Sequence, residues 1–364
     1  MDITTLSPVP APFWFVQFFK VVGFTLHLIP MGVWFAGLPV AILAAVVHTK
    51  NSGLYSRRMF GQFPVMMALG INFGIVPLLF LQTTYYKAFY TATILTAWHW
   101  IAVIPILIVG YYSLYIAAYS AERRGRQILF GFIASLCLIT IGLLISNGLT
   151  LMVRSDLWNA LMEQTGYYGA TLGTANNFSD TALWIRFATV FGFALITAGV
   201  WAVFDSHFLY KNSDKAAEDG YRRWTLGLLK MLSVLGLIVI ASAGHLPMLC
   251  GIPSGEAVKI AFPHSLAVCL LLGPAAVFVL TLIAYFSKGG RGAVLLIALV
   301  HFLSLAYFAV VRQIGQNTGT AQFADVSQLP VAVQWDTLIA FLVSFVFGVL
   351  IIIWMLRQCA LAAK

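Results

Sequence analysis

Apolar residues run through this chain in long stretches separated by short polar connections. Nine stretches reach the length needed to cross a bilayer, near 12–48, 61–84, 93–120, 128–152, 183–208, 224–244, 261–286, 293–312 and 334–356. A spanning helix requires about 20 predominantly apolar residues. The first stretch is long enough to tilt or to begin with an interfacial turn. Pro30 and Pro77 lie inside the first two spans and predict kinks there. The longest connection, 153–182, predicts a small surface helix followed by a loop. The expected fold is all-α: a polytopic membrane helix bundle of about nine transmembrane helices, built as a single integral membrane domain over 1–364.

Composition strengthens this picture. Hydrophobic residues make up 61% of the chain and charged residues only 9%, where a soluble domain carries roughly 25% charged residues. Such a balance excludes a disordered protein, a coiled coil and an ordinary soluble enzyme. The N-terminal residues MDITTLSPVPAPFW are acidic and proline-rich rather than basic, so no cleavable signal peptide is expected. The four cysteines, Cys137, Cys250, Cys269 and Cys359, are scattered, with no CxxC or CxxCH spacing. They point neither to a thiolate zinc site nor to covalent haem attachment.

The net charge of +9 matters through its distribution. Fourteen Lys and Arg residues fall in the loops on one side and three, Lys87, Arg154 and Lys259, on the other. By the positive-inside rule this predicts an outer N-terminus and a cytoplasmic C-terminus. It marks orientation rather than nucleic-acid binding. Four basic residues remain in or at the edges of spans: Lys20, Arg186, Lys230 and Arg312.

Acids are almost missing from the spans, with Asp205 and Asp336 at helix ends, so histidine is the notable buried polar residue. With a rise of about 1.5 Å per residue, His27, His99, His264 and His301 all fall between mid-depth and the outer surface. His48, His207 and His245 sit at helix ends. Intramembrane ionisable groups are functional candidates. Neutral imidazole suits haem iron, and facing histidines on two helices can clamp a haem b. A lone membrane histidine also serves as a helix–helix hydrogen-bond donor. Metal-ion binding would bring carboxylates or thiolates with it. Arg186 and Arg312 are the candidate partners for haem propionates, since the guanidinium fork matches a carboxylate. Snorkelling to headgroups is the other use of such residues.

Three segments resemble subunit I of the cytochrome bd quinol oxidases. GQFPVMMALGINFGIVPLLFLQ, with Gly70-Ile71-Asn72-Phe73, is similar to that family's second helix. GFTLHLIPMGVWFAGL is similar to its first, in which a histidine followed by a proline ligates a haem, and His27 takes that place. LLISNGLTLM, with Asn147-Gly148, is similar to a segment at the end of the fourth. The resemblance implies a nine-span haem protein of the bacterial inner membrane that uses quinol.

The departures from the family pattern share a direction. His99 stands where the family has a glutamate in its third helix, and His301 lies close to a glutamate haem ligand. Arg312-Gln313 survive from a longer motif, and Arg186-Phe187 replace a low-spin haem histidine. The methionine partner of that histidine has no clear match, although His264 lies nearby. The quinol-binding loop shrinks to HLPMLCGIPSGEAV, and Arg186, His245 and Glu256 are candidates near a quinone. Exchanging glutamate for histidine favours a six-coordinate, electron-transferring haem over an oxygen-binding one. The resemblance thus implies a cytochrome with about two haems b, His27 and His99 ligating one and His301, with His264, serving a second. It would pass electrons between membrane quinol and an outer partner such as a c-type cytochrome or another membrane subunit. As an enzyme it would be an electron-transfer or quinol-dehydrogenase subunit of an oxidoreductase complex. An oxygen-reducing quinol oxidase, a histidine-lined transporter and a structural anchor are the other readings.

Overall fold

A computed structural model describes residues 8–244, 266, 269–287, 289–321 and 325–362. His264, His245 and Glu256 lie outside the described residues. The described chain is an all-helical membrane bundle apart from one short hairpin. In chain order the helices are α1 (Phe13–Phe35), α2 (Gly37–Val47), α3 (Lys50–Thr84), α4 (Tyr86–Leu95), α5 (Ala97–Ala118) and α6 (Arg124–Leu151). They continue with α7 (Trp158–Thr165), α8 (Thr181–Phe204), α9 (Lys215–Gly244), α10 (Leu272–Phe286), α11 (Arg291–Ala321) and α12 (Trp335–Ala362).

Among the described residues, seven helical segments are long and apolar enough to cross a membrane, with α10 and the apolar part of α12 shorter. The stretch 12–48 is one span broken at Ala36 into α1 and α2. The break falls six residues after Pro30, whereas α3 runs continuously through both Pro64 and Pro77. The span expected over 93–120 divides at Thr96, leaving α4 as a separate short helix. The span expected over 293–312 continues to Ala321, so Arg312 lies well inside α11 rather than at its end. Gln313, Gln316 and Asn317 end the apolar run in sequence, yet they lie inside the helix, where their side chains are bonded by Tyr85 and by Lys20 and Gln17 of α1. The connection 153–182 holds α7 and a two-residue hairpin, Gly166–Tyr167 paired with Ala170–Thr171.

α8 is the central helix, packing against α1, α9, α11 and α6. Small residues allow close approach where lipid supplies no hydrophobic drive between helices. A Cβ on Gly236 of α9 would lie 2.6 Å from the Gly192 carbonyl oxygen of α8, and one on Gly32 of α1 would lie 2.7 Å from Thr197 of α8. The first obstacle is backbone and cannot rotate away. Gly236→Ala is therefore expected to cost about 1–3 kcal/mol, read as a lower thermal unfolding midpoint in detergent. A variant melting with the wild type would contradict this crossing.

Two large cores flank α8. One joins α2, α3, α5, α6 and the end of α1 around Tyr55, Phe60, Phe63 and Leu138. The other joins α1, α9, α10 and α11 around Leu28, Phe193 and Phe308. A smaller aromatic seam, Phe15, Phe19, Phe80, Phe341 and Phe345, fastens α12 to α1 and α3.

Candidate functional site

His27 projects from α1 toward α3. Its Nδ1 lies 2.7 Å from the Gly70 carbonyl oxygen. A carbonyl only accepts, so Nδ1 carries the proton and Nε2 keeps its lone pair. The glycines of the Gly70-Ile71-Asn72-Phe73-Gly74 run make this approach possible. A Cβ on Gly74 would stand 2.9 Å from the imidazole, and one on Gly70 would stand 3.0 Å from Trp34 Nε1. The aromatic Phe24 lies beside the ring, with centroids 6.3 Å apart.

His99 sits in the first turn of α5, and its Nδ1 lies 3.1 Å from the Ala175 carbonyl. That carbonyl belongs to a loop stitched onto the helices: Trp98 N donates to Gly173 O, and Ala175 N donates to Leu95 O. Asn147, from the Asn147-Gly148 pair, accepts the Asn177 backbone N–H at 2.7 Å. His99 thus has the same arrangement as His27, with Nδ1 anchored on a backbone carbonyl and Nε2 left as an acceptor. No hydrogen bond or ring contact joins the two imidazoles among the described residues. α3 packs against both α1 and α5.

His301 is buried in α11, its Nε2 2.8 Å from Thr197 Oγ1 of α8. The Thr197 hydroxyl also donates to the Phe193 carbonyl, which uses its only hydrogen, so Nε2–H of His301 is the donor in their bond. Its Nδ1 is then a buried acceptor with no hydrogen-bond partner. His301 lines a largely apolar cavity of about 260 Å³ between α1, α8 and α11, together with Ile29, Val33 and Phe302.

Arg186 and Arg312 come together. Both line a small cavity of about 70 Å³ between α6, α8 and α11 that also includes Ser146, Thr150 and Gln316. No carboxylate lines this cavity. The Arg312 guanidinium stacks 4.3 Å from the Phe24 ring centroid, next to His27. Lys20 of α1 is a third cation in this region. Its side chain is only 3% exposed, bonds Gln316 Oε1 at 3.3 Å and lies over the Tyr85 ring. Three basic side chains thus gather in one region of the bundle.

Haem fits these residues on two counts. The imidazoles of His27 and His99 each donate one ring nitrogen to a backbone carbonyl, the outer-shell arrangement of metal-ligating histidines. The arginine cavity offers forked donors where two propionate carboxylates require them. His301 fits less directly, because Thr197 holds its Nε2. Among the described residues, no group of three His, Cys, Asp or Glu side chains could hold a metal ion.

Two polar clusters escaped sequence reasoning. Gln17, Tyr85, Gln313 and Asn317 form a closed hydrogen-bond network beside Lys20. The spacing of Gln313, Gln316, Asn317 and Thr320 on one face of a helix was its only trace in the sequence. At the basic end, Asp205 is fully buried and accepts Arg58 Nε and Nη2, each at 2.7 Å, and Gln62 Nε2 at 2.7 Å. It opens a π-helical turn, Asp205–Leu209, that ends α8.

No family model and no curated protein sequence matches this chain. Its fold is similar to that of the bd oxidase from Geobacillus thermodenitrificans, with a TM-score of 0.65 and 12% identity over 95% of this chain and 97% of that one. At that identity the likeness is one of fold.

Proposed function

We propose that this bd oxidase-like membrane bundle is a haem b-carrying cytochrome of a multi-pass bacterial inner membrane protein. It passes electrons between membrane quinol and an outer partner such as a c-type cytochrome. The observation that carries this reading is the anchored imidazole of His27, its Nε2 left as an acceptor, beside the cavity that Arg186 and Arg312 share.

When bound, haem supplies a one-electron carrier whose potential follows its axial ligands and surroundings. The chain's own residues do the rest. His27 and His99 offer Nε2, and the Gly70 and Ala175 carbonyls fix both rings in the ligating tautomer. Arg186 and Arg312 hold carboxylates. Phe308 lines the arginine cavity, and the Phe24 ring packs on the Arg312 guanidinium. His301 serves a second haem only if its bond to Thr197 is given up or its Nδ1 is the donor atom; otherwise it is a helix–helix tie.

The visible spectrum of the purified full chain, with a haem count per polypeptide, tests the reading. A Soret band and a count of one or two haems b are expected. Absence of any Soret absorbance would sink it. A carbon monoxide-induced shift in the reduced spectrum would instead mark an open haem and favour an oxygen-reducing oxidase over a six-coordinate relay.

A further inference from the structure

A pocket of about 340 Å³ opens where α1 begins, α3 and α11 end and the chain leads into α12. Phe13 and Val326 form its apolar walls, and Tyr85, Asn317, Asp325 and Ser327 supply its polar groups. Small-molecule pockets are of this size and composition. No Lys or Arg lines it.

Hydrogen-bond capacity shows what the pocket can still bind. The Tyr85 hydroxyl accepts from Gln17 Nε2 at 3.0 Å and from Gln313 Nε2 at 3.2 Å, and donates to Asn317 Oδ1. Burial pushes this phenol up to about 12, so it stays a neutral donor. Asn317 Oδ1 also accepts Gln313 Nε2 at 2.8 Å, which fills both of its lone pairs. Asn317 Nδ2 donates one hydrogen to Gln17 Oε1 at 3.2 Å and keeps one.

Asp325 Oδ1 accepts Ser327 N at 3.0 Å and Ser327 Oγ at 2.6 Å, while Oδ2 accepts only Gln328 Nε2 at 2.9 Å. The Ser327 bonds hold this carboxyl below its ordinary value, so it is an ionised acceptor with capacity left. What remains on these side chains is one N–H donor and one carboxylate acceptor, beside the hydroxyl oxygens of Thr318, Thr320 and Ser327, each of which donates elsewhere and can still accept.

We propose that this pocket binds the ring of a quinol, one hydroxyl donating to the Asp325 carboxylate and a ring oxygen accepting from Asn317 Nδ2. The proposal rests on the cytochrome reading for its choice of quinol. The absence of a lining cation argues against a phosphate headgroup or another anion. Position supports the assignment as well. The Lys20 ammonium lies 3.9 Å from the Tyr85 ring centroid and bonds Gln316, which lines the arginine cavity, so a single layer of side chains separates the two sites.

The test is equilibrium binding of a short-tailed quinol to the full-length protein, held anaerobic and pre-reduced so that no electrons move. The wild type is expected to bind it. Asp325→Asn and Asn317→Ala are each expected to weaken binding about tenfold, the loss of one hydrogen bond to a charged or buried group. Asp325→Asn keeps an oxygen for the Ser327 turn. Thr318→Leu, which narrows the pocket from α11 without touching the network, is expected to weaken binding with the fold intact. Unchanged affinity in Asp325→Asn and Asn317→Ala, or no binding to the wild type, overturns the proposal. So does retention of phosphatidylethanolamine that the variants lose while quinol binding is unaltered. The haem count fails or holds separately: a haem-free chain defeats the cytochrome reading, whereas a haem-loaded chain with unaltered variants defeats only this pocket.

Discussion

Full-length protein carrying His27→Ala is expected to purify without the haem that this ring holds, losing the matching part of its Soret absorbance. The basis is the geometry at α1 and α3. His27 Nδ1 is committed to the Gly70 carbonyl at 2.7 Å, which leaves Nε2 as the lone pair for iron. A sharper variant keeps the imidazole and removes its seat. A Cβ at Gly74 would fall 2.9 Å from the ring, so Gly74→Ala displaces it and breaks the bond to Gly70. Loss of such an outer-shell partner typically costs about 10–100-fold in metal affinity. Titration of the haem-free protein with haemin reads that change directly. His99→Ala supplies the comparison for the second anchored ring. Full haem content in both His27→Ala and His99→Ala would remove these residues as ligands.

The second large effect is expected at the basic end of the bundle. Asp205 is buried and receives two bonds from Arg58 and one from Gln62, whose own oxygen accepts Trp201 Nε1 at 2.7 Å. Removing one partner of a buried ion pair leaves the other charge uncompensated and costs about 3–5 kcal/mol. Asp205→Ala should therefore show a large fall in the thermal unfolding midpoint of the detergent-solubilised protein. Replacing both charges with apolar groups of similar volume is often neutral or stabilising. Arg58→Met combined with Asp205→Leu should recover most of the loss. If the double variant is no more stable than Asp205→Ala, the pair does not act as a unit. This cluster lies away from the arginine cavity, so haem content is expected to survive in the double variant.

The contrast between these two regions shows why charge placement in the spans is informative. At the basic end a buried acid is paired with a partly exposed arginine within the chain itself. Around Arg186, Arg312 and Lys20 the cavity lining offers amides and hydroxyls but no carboxylate. Charges in the spans are costly, and the two regions accommodate them with different neighbours.

Much of the fold was legible in the sequence. Hydropathy is a local and additive property, so runs of apolar residues located the spans and Asn147-Gly148 lay where a loop is tied down. Helix limits were less legible. Lys50–Thr84 begins in polar sequence because Thr49 and Ser52 form a reciprocal cap, and Arg291–Ala321 outlasts its apolar run because its polar end is bonded by α1 and by Tyr85. The break at Thr96 left no comparable mark. The histidines and arginines stood out by residue type alone, since so few polar groups lie in the spans.

Their relations did not. By itself the sequence determined a membrane helix bundle and a short set of candidate histidines and arginines within it, because composition and periodicity act over one helix at a time. Only the tertiary structure decided that Arg186 and Arg312 share a cavity, that Lys20 reaches Gln316 from 296 positions away, and that His301 is tied to Thr197. Those meetings depend on how far each helix is rotated and how closely it crosses its neighbour. Here that is set by where glycine replaces a side chain, as at Gly32, Gly74 and Gly236, and by which carbonyls are thereby brought within reach of a donor.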